Sequence, residues 1–179
     1  MTENTDLLAE LAEARSALVR TVDGLTDDQA AKRSTASELC LGGLIKHVAA
    51  MEDQWLRFTV EGPSALPFAL PDGVTWADIA AGTAEYPQWM IDHRNDFQLL
   101  PGETLAGVLA RYEQVAARTT EIVTAADLDA TQPLPPAPWL EPGGVRSARR
   151  TLVHVIAETS QHAGHADILR ESLDGQKSG

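Results

Sequence analysis

Glu158 and His162 stand four residues apart in the run Glu158-Thr-Ser-Gln-His162-Ala-Gly-His165. On a helix, that spacing stacks a carboxylate and an imidazole on one face. Together they can grip a divalent cation. His47 lies in a second, largely apolar segment and can supply a third ligand if the two helices pack together. Three protein ligands leave a coordination position open, which catalysis needs and a structural site avoids. Taking His154 as zero on a wheel of about 100° per residue, Glu158 falls near about 40°, His162 near about 80° and His165 near about 20°. The apolar residues of the same helix centre near about 140° on that wheel, so the polar arc borders the buried face and suits a cleft between helices.

The plainer reading of each residue is a solvated Glu158 and hydrogen-bonded interior histidines. Three histidines and one glutamate on a narrow arc, with His47 elsewhere, raise the weight of a metal site. His47 shares a helical face with Leu44, Met51 and Trp55, which favours an inward ring. His93 sits between Asp92 and Arg94 on a weaker segment and is expected at the surface, away from any metal. No His-Glu-x-x-His is present, so a zinc-protease reading has no support. Cys40 precedes a helix, which lowers a thiol's pKa, but no base is placed beside it by sequence. Trp76 and Trp139 lie near loops and could wall a ligand pocket, although filling space is their commoner use. Arg149 and Arg150 are read as surface charges.

Long helices must position these groups. Leu7, Leu8, Leu11, Ala14, Leu18 and Val22 recur at helical spacing, predicting a first helix from about Thr5 to Gly24. Thr26 caps a short turn. A second long helix is predicted over Leu41 to Val60, with Gly42 and Gly43 serving close packing against a neighbouring helix. Residues 61–74 hold three prolines and two glycines and read as a loop. Short helices follow from Thr75 to Ala81 and from about Glu85 to Phe97, then a third long helix from about Thr104 to Ala126. Residues 128–145, with five prolines and two glycines, read as irregular, and no strand is expected. Ser147 caps the last helix, which ends near Gly175. The prediction is an all-α four-helix bundle forming a single domain over 1–175, with irregular and short helical segments between the second and third long helices and a frayed tail over 176–179.

The chain has 179 residues, 44% of them hydrophobic, and a net charge of −12 with a single cysteine. Such an acidic surface disfavours nucleic-acid phosphate and anionic membranes as partners. No apolar run approaches the roughly 20 residues of a membrane span. One cysteine and an N-terminus without a signal pattern lead to an expected cytoplasmic location.

The segments Leu41-Gly-Gly-Leu-Ile-Lys-His47-Val and Glu158-Thr-Ser-Gln-His162-Ala-Gly-His165-Ala-Asp-Ile-Leu-Arg-Glu171 resemble the DinB superfamily, and within it the actinobacterial branch related to mycothiol-dependent maleylpyruvate isomerase. The resemblance implies an up-down-down-up bundle with a metal at one end. It implies His47, Glu158 and His162 as ligands, Glu158 standing where many members have the first histidine of a pair. His165 matches a polar position after the last ligand, and with His154 it is assigned a catalytic or proton-relay role. The extra C-terminal domain of the isomerase has no counterpart, so isomerisation is not the expected activity. A divalent metal, Zn²⁺ before Ni²⁺, Co²⁺ or Fe²⁺, is implied, with a mycothiol-like low-molecular-weight thiol as co-substrate. The implied partners are that thiol and a small electrophile, and a homodimer is compatible with the apolar faces. Three functions stay open: a thiol S-transferase, a metal-dependent hydrolase, and a non-catalytic metal-binding module linked to stress.

Overall fold

A computed structural model describes residues 2–177. Four long helices carry the fold: α1 (Glu3–Arg20), α3 (Leu41–Glu61), α6 (Leu105–Ala125) and α7 (Ala148–Asp174). Between them lie α2 (Asp27–Ala31), α4 (Trp76–Ala81) and α5 (Gln88–Asp96), and a single 3₁₀ turn (Gly62–Ala65) closes α3. The starts are set by side-chain caps. Thr26 and Gln29 form a capping box, Thr104 Oγ1 accepts from Gly107 N at 3.1 Å, and Ser147 Oγ accepts from Arg150 N at 3.2 Å. Cys40 takes the same role for α3, its Sγ accepting from Gly43 N at 3.4 Å.

Helix directions follow from the ties between ends. Arg149 at the start of α7 pairs with Glu3 at the start of α1, and Arg170 near the end of α7 donates to Thr21 O just past the end of α1. These two helices are therefore parallel. Asn4 Nδ2 donates to Val123 O at the far end of α6, so α6 runs opposite to α1. Arg118 of α6 pairs with Glu61 and Lys46 of α3 with Glu103 just before α6, so α3 and α6 are parallel. The topology is up-down-down-up, and one long crossover between α3 and α6 carries α4 and α5.

The core is the apolar stripes of these helices, including Leu11, Leu18, Leu44, Ile45, Val48, Phe58, Val115, Leu152 and Val155. One charged group lies at its centre. Glu52 has no exposed surface and is held by Arg15 of α1 and Thr119 of α6. This ties three helices at one point.

One expectation about the fold needs correcting. A short antiparallel pair, β1 (Thr131–Pro133) with β2 (Val145–Ser147), lies in the segment read as strandless. Strands of three residues are too short to show an alternating pattern, and Pro133 ends the pairing at an edge where its missing donor costs nothing. The pair matters because it sets Arg146 above the bundle. Gly42 and Gly43 do permit a close approach, chiefly of the chain leaving α5, with Ala30 of α2 also against Gly42. A Cβ on Gly43 would stand 2.0 Å from Phe97 O, and one on Gly42 would stand 1.9 Å from Leu99 Cδ1. At the C-terminus, Gln176 N donates to Asp174 Oδ1 at 3.0 Å, so this part of the expected tail is tied back, while Ser178 and Gly179 lie outside the described residues.

Candidate metal centre

The α3–α7 packing sets His47 beside His162, but among the described residues the group whose ligand atoms all come within 4.8 Å of one another is His47, His93 and Asp96, not His47, Glu158 and His162. The His47 and His162 rings lie 4.9 Å apart, edge to face. His162 Nε2 is 3.8 Å from Glu158 Oε2, and His154 Nδ1 is 4.0 Å from the other oxygen, Oε1. His165 sits one turn on, its ring 5.5 Å from that of His162. His47 is buried, and the other four residues are half-buried along the cleft.

The crossover adds a second wall. Lys46 Nζ holds it in place, donating to Asn95 O at 3.3 Å, Gln98 O at 3.4 Å and Glu103 Oε2 at 2.9 Å. Phe97 then stacks on His47 with ring centroids 3.9 Å apart. His93 stands edge-on to His47 at 5.2 Å. His93 is exposed by area, as expected, but it is not remote from the cluster. His47, His93 and Asp96 each present a ligand atom within 4.8 Å of the others. Sequence reasoning missed both His93 and Asp96, because their proximity to His47 depends on how the crossover folds back. Arg146 was missed too. Its Cζ lies 4.6 Å from the Trp55 ring centroid, and Trp55 in turn meets His154 at 5.1 Å.

Burial sets the protonation of the site. The His47 imidazole is pushed down to about 3 by desolvation first, then by His162 and His93. Desolvation also lowers His162, opposed by Glu158, and lowers His154, helped by Arg146. Asp96 is pushed up to about 6 by its burial, against the pull of Lys46. Neutral imidazoles are the form that binds a metal.

The chemistry of a divalent cation suits both the predicted ligands and the converging group of His47, His93 and Asp96. Two neutral imidazoles and a carboxylate suit Zn²⁺ and its neighbours in the first transition row. Among the described residues, the buried Nδ1 atoms of His47, His162 and His165 have no hydrogen-bond partner in the protein, so these rings are not committed to structural bonds.

The depressed His47 predicts an acid-labile bundle in metal-free protein. The unfolded chain binds this proton near 6.5 while the folded chain resists it to about 3. Stability from this group is therefore complete above about 6.5 and falls as the pH drops through that window, at about 1.4 kcal/mol per pH unit. Urea midpoints taken from pH 7.5 down to pH 5 should decline, with a flatter decline in His47→Gln. Parallel declines in the two proteins would remove His47 as the cause.

The up-down-down-up helical bundle is DinB-like. The mycothiol-S-transferase family matches residues 6–175, and the chain belongs to that family. Two solved structures share the fold. One is the colibactin self-resistance protein ClbS in complex with a dsDNA, 12% identical, with a TM-score of 0.57 over 94% of this chain and 95% of that one. The other is a conserved protein from Enterococcus faecalis, 16% identical, with a TM-score of 0.56 over 98% and 99% of the two chains. The comparison with curated proteins found no match. No helix among the described residues is long and apolar enough to cross a membrane.

Proposed function

We propose that this protein is a divalent-metal-dependent S-transferase that joins a mycothiol-like low-molecular-weight thiol to a small electrophile, with His47, Glu158 and His162 holding the metal. The observation that carries the reading is the approach of the His47 and His162 rings to 4.9 Å across α3 and α7, in a chain matched over residues 6–175 by the mycothiol-S-transferase family. A divalent cation held by His47, Glu158 and His162 would supply Lewis acidity that favours the thiolate form of a thiol at neutral pH. The chain does the rest. Phe97 covers one face of His47 and limits water there. His154 or His165 accepts the thiol proton and passes it to solvent. The sulfur then forms a C–S bond while the bond to the leaving group breaks, that group departing with the electron pair. No protein nucleophile is required, and Cys40 is engaged as a helix cap with its side chain buried.

Zn²⁺ as native metal, a cytoplasmic location and a homodimer belong to the same proposal. The DNA in the ClbS complex is that protein's ligand. A net charge of −12 sets this chain against a polyanionic partner.

Turnover of an electrophile should require both thiol and metal, vanish with a chelator and return with added Zn²⁺. Equal consumption of the electrophile without thiol would replace transfer by metal-assisted hydrolysis. Firm metal binding with no consumption at all would favour the non-catalytic module.

A further inference from the structure

Beside the histidine cluster lies a cavity of about 490 Å³. Its apolar lining includes Phe68, Trp89, Met90 and Trp139. The rings form a box: Phe68 edge-to-face with Trp139 at 5.4 Å, Phe68 tilted against Trp89 at 5.7 Å, and Trp76 behind them, edge-to-face with Trp139 at 5.0 Å. Trp89 Nε1 is fixed by Ala69 O at 2.9 Å, which sets that ring. Such a box stacks a flat ring well, the more so if that ring is poor in electrons.

The polar lining is informative because of its sign. Gln54, Asp92, His93 and Asp96 supply it, and no lysine or arginine lines the cavity. Two cations of the surrounding elements are engaged elsewhere. Lys46 is bonded to Glu103 and two carbonyls, and Arg146 lies over Trp55. An anionic guest would therefore meet two carboxylates and the negative faces of the rings, with no protein cation in the lining to offset them. The cavity also adjoins the metal cluster, because His93 and Asp96 line it while their ligand atoms stand within 4.8 Å of that of His47.

We infer that this cavity is the electrophile subsite, built for a planar, electron-poor aromatic compound without negative charge. The inference rests on the S-transferase reading for the word electrophile, and on the cavity itself for the class of molecule. Exclusion of carboxylates follows from like-charge repulsion, the usual means of rejecting a wrong ligand.

The test compares two unreactive probes that differ by one carboxylate, 1,3-dinitrobenzene and 3,5-dinitrobenzoate. Calorimetric titration of the full chain, as purified and again after chelation, removes any contribution from a carboxylate bound to metal. The neutral probe should bind at least tenfold tighter in both states. Trp139→Ala should weaken it at least tenfold with an unchanged melting temperature, because Trp139 is 55% exposed and outside the bundle core. Dinitrobenzoate binding as well as dinitrobenzene, or Trp139→Ala binding like the parent, would overturn the inference. Binding that behaves as expected without thiol-dependent turnover of 1-chloro-2,6-dinitrobenzene would support the cavity and count against the transfer reading. Turnover with no preference between the probes would do the reverse.

Discussion

His162→Ala is expected to abolish binding of the proposed metal, and with it the stability such a ligand adds. His162 is the α7 ring that meets His47 of α3, at 4.9 Å between rings, and stands beside Glu158 of its own helix, 3.8 Å from Nε2 to Oε2. A ligand that binds only the folded chain adds about 2.7 kcal/mol when its free concentration is about 100 times Kd. Added Zn²⁺ should therefore raise the melting temperature of the parent and leave that of the variant unmoved. Elemental analysis reads the same result directly. His93→Ala is the control that separates the two overlapping ligand groups around His47. It should keep its metal, and a variant that keeps metal on losing His162 but loses it with His93 would move the site to His47, His93 and Asp96.

Glu52→Ala is expected to be the most destabilising single change in the bundle, by about 3–5 kcal/mol. Glu52 has no exposed surface, and its Arg15 partner keeps only 12% of its side-chain surface. Removing the carboxylate leaves a guanidinium in the core without its counter-charge and deprives Thr119 Oγ1 of an acceptor. Tyr112 has a buried hydroxyl in the same region, its pKa raised first by burial, so this group stays neutral and does not replace the lost charge. Urea unfolding should show a lower midpoint with an unchanged slope. A loss under about 1 kcal/mol would mean that Arg15 reaches solvent when its partner is gone.

Much of this was legible because it is local. Ser147, Thr104 and the Thr26–Gln29 box mark helix starts through bonds spanning three residues. The ends of α3 and α6 fell within a residue or two of the apolar pattern. Glu52 also left a signal, a lone glutamate between Val48 and Trp55 on the inward stripe, which went unread because an isolated acid on a helix is usually solvated. α5 was harder to place. It contributes no buried residue, so its pattern gave little hint of the face His93 would present.

The sequence by itself determined the helices, their caps and the stacking of Glu158 with His162, because a residue's neighbours on its own helix follow from the 3.6-residue period. Only the tertiary structure decided which groups meet His47. Phe97, His93 and Asp96 arrive from some fifty residues away because two side-chain-free glycines admit the chain after α5 and Lys46 anchors it there. Contacts of that range depend on how whole elements pack, and no periodicity along the chain encodes them.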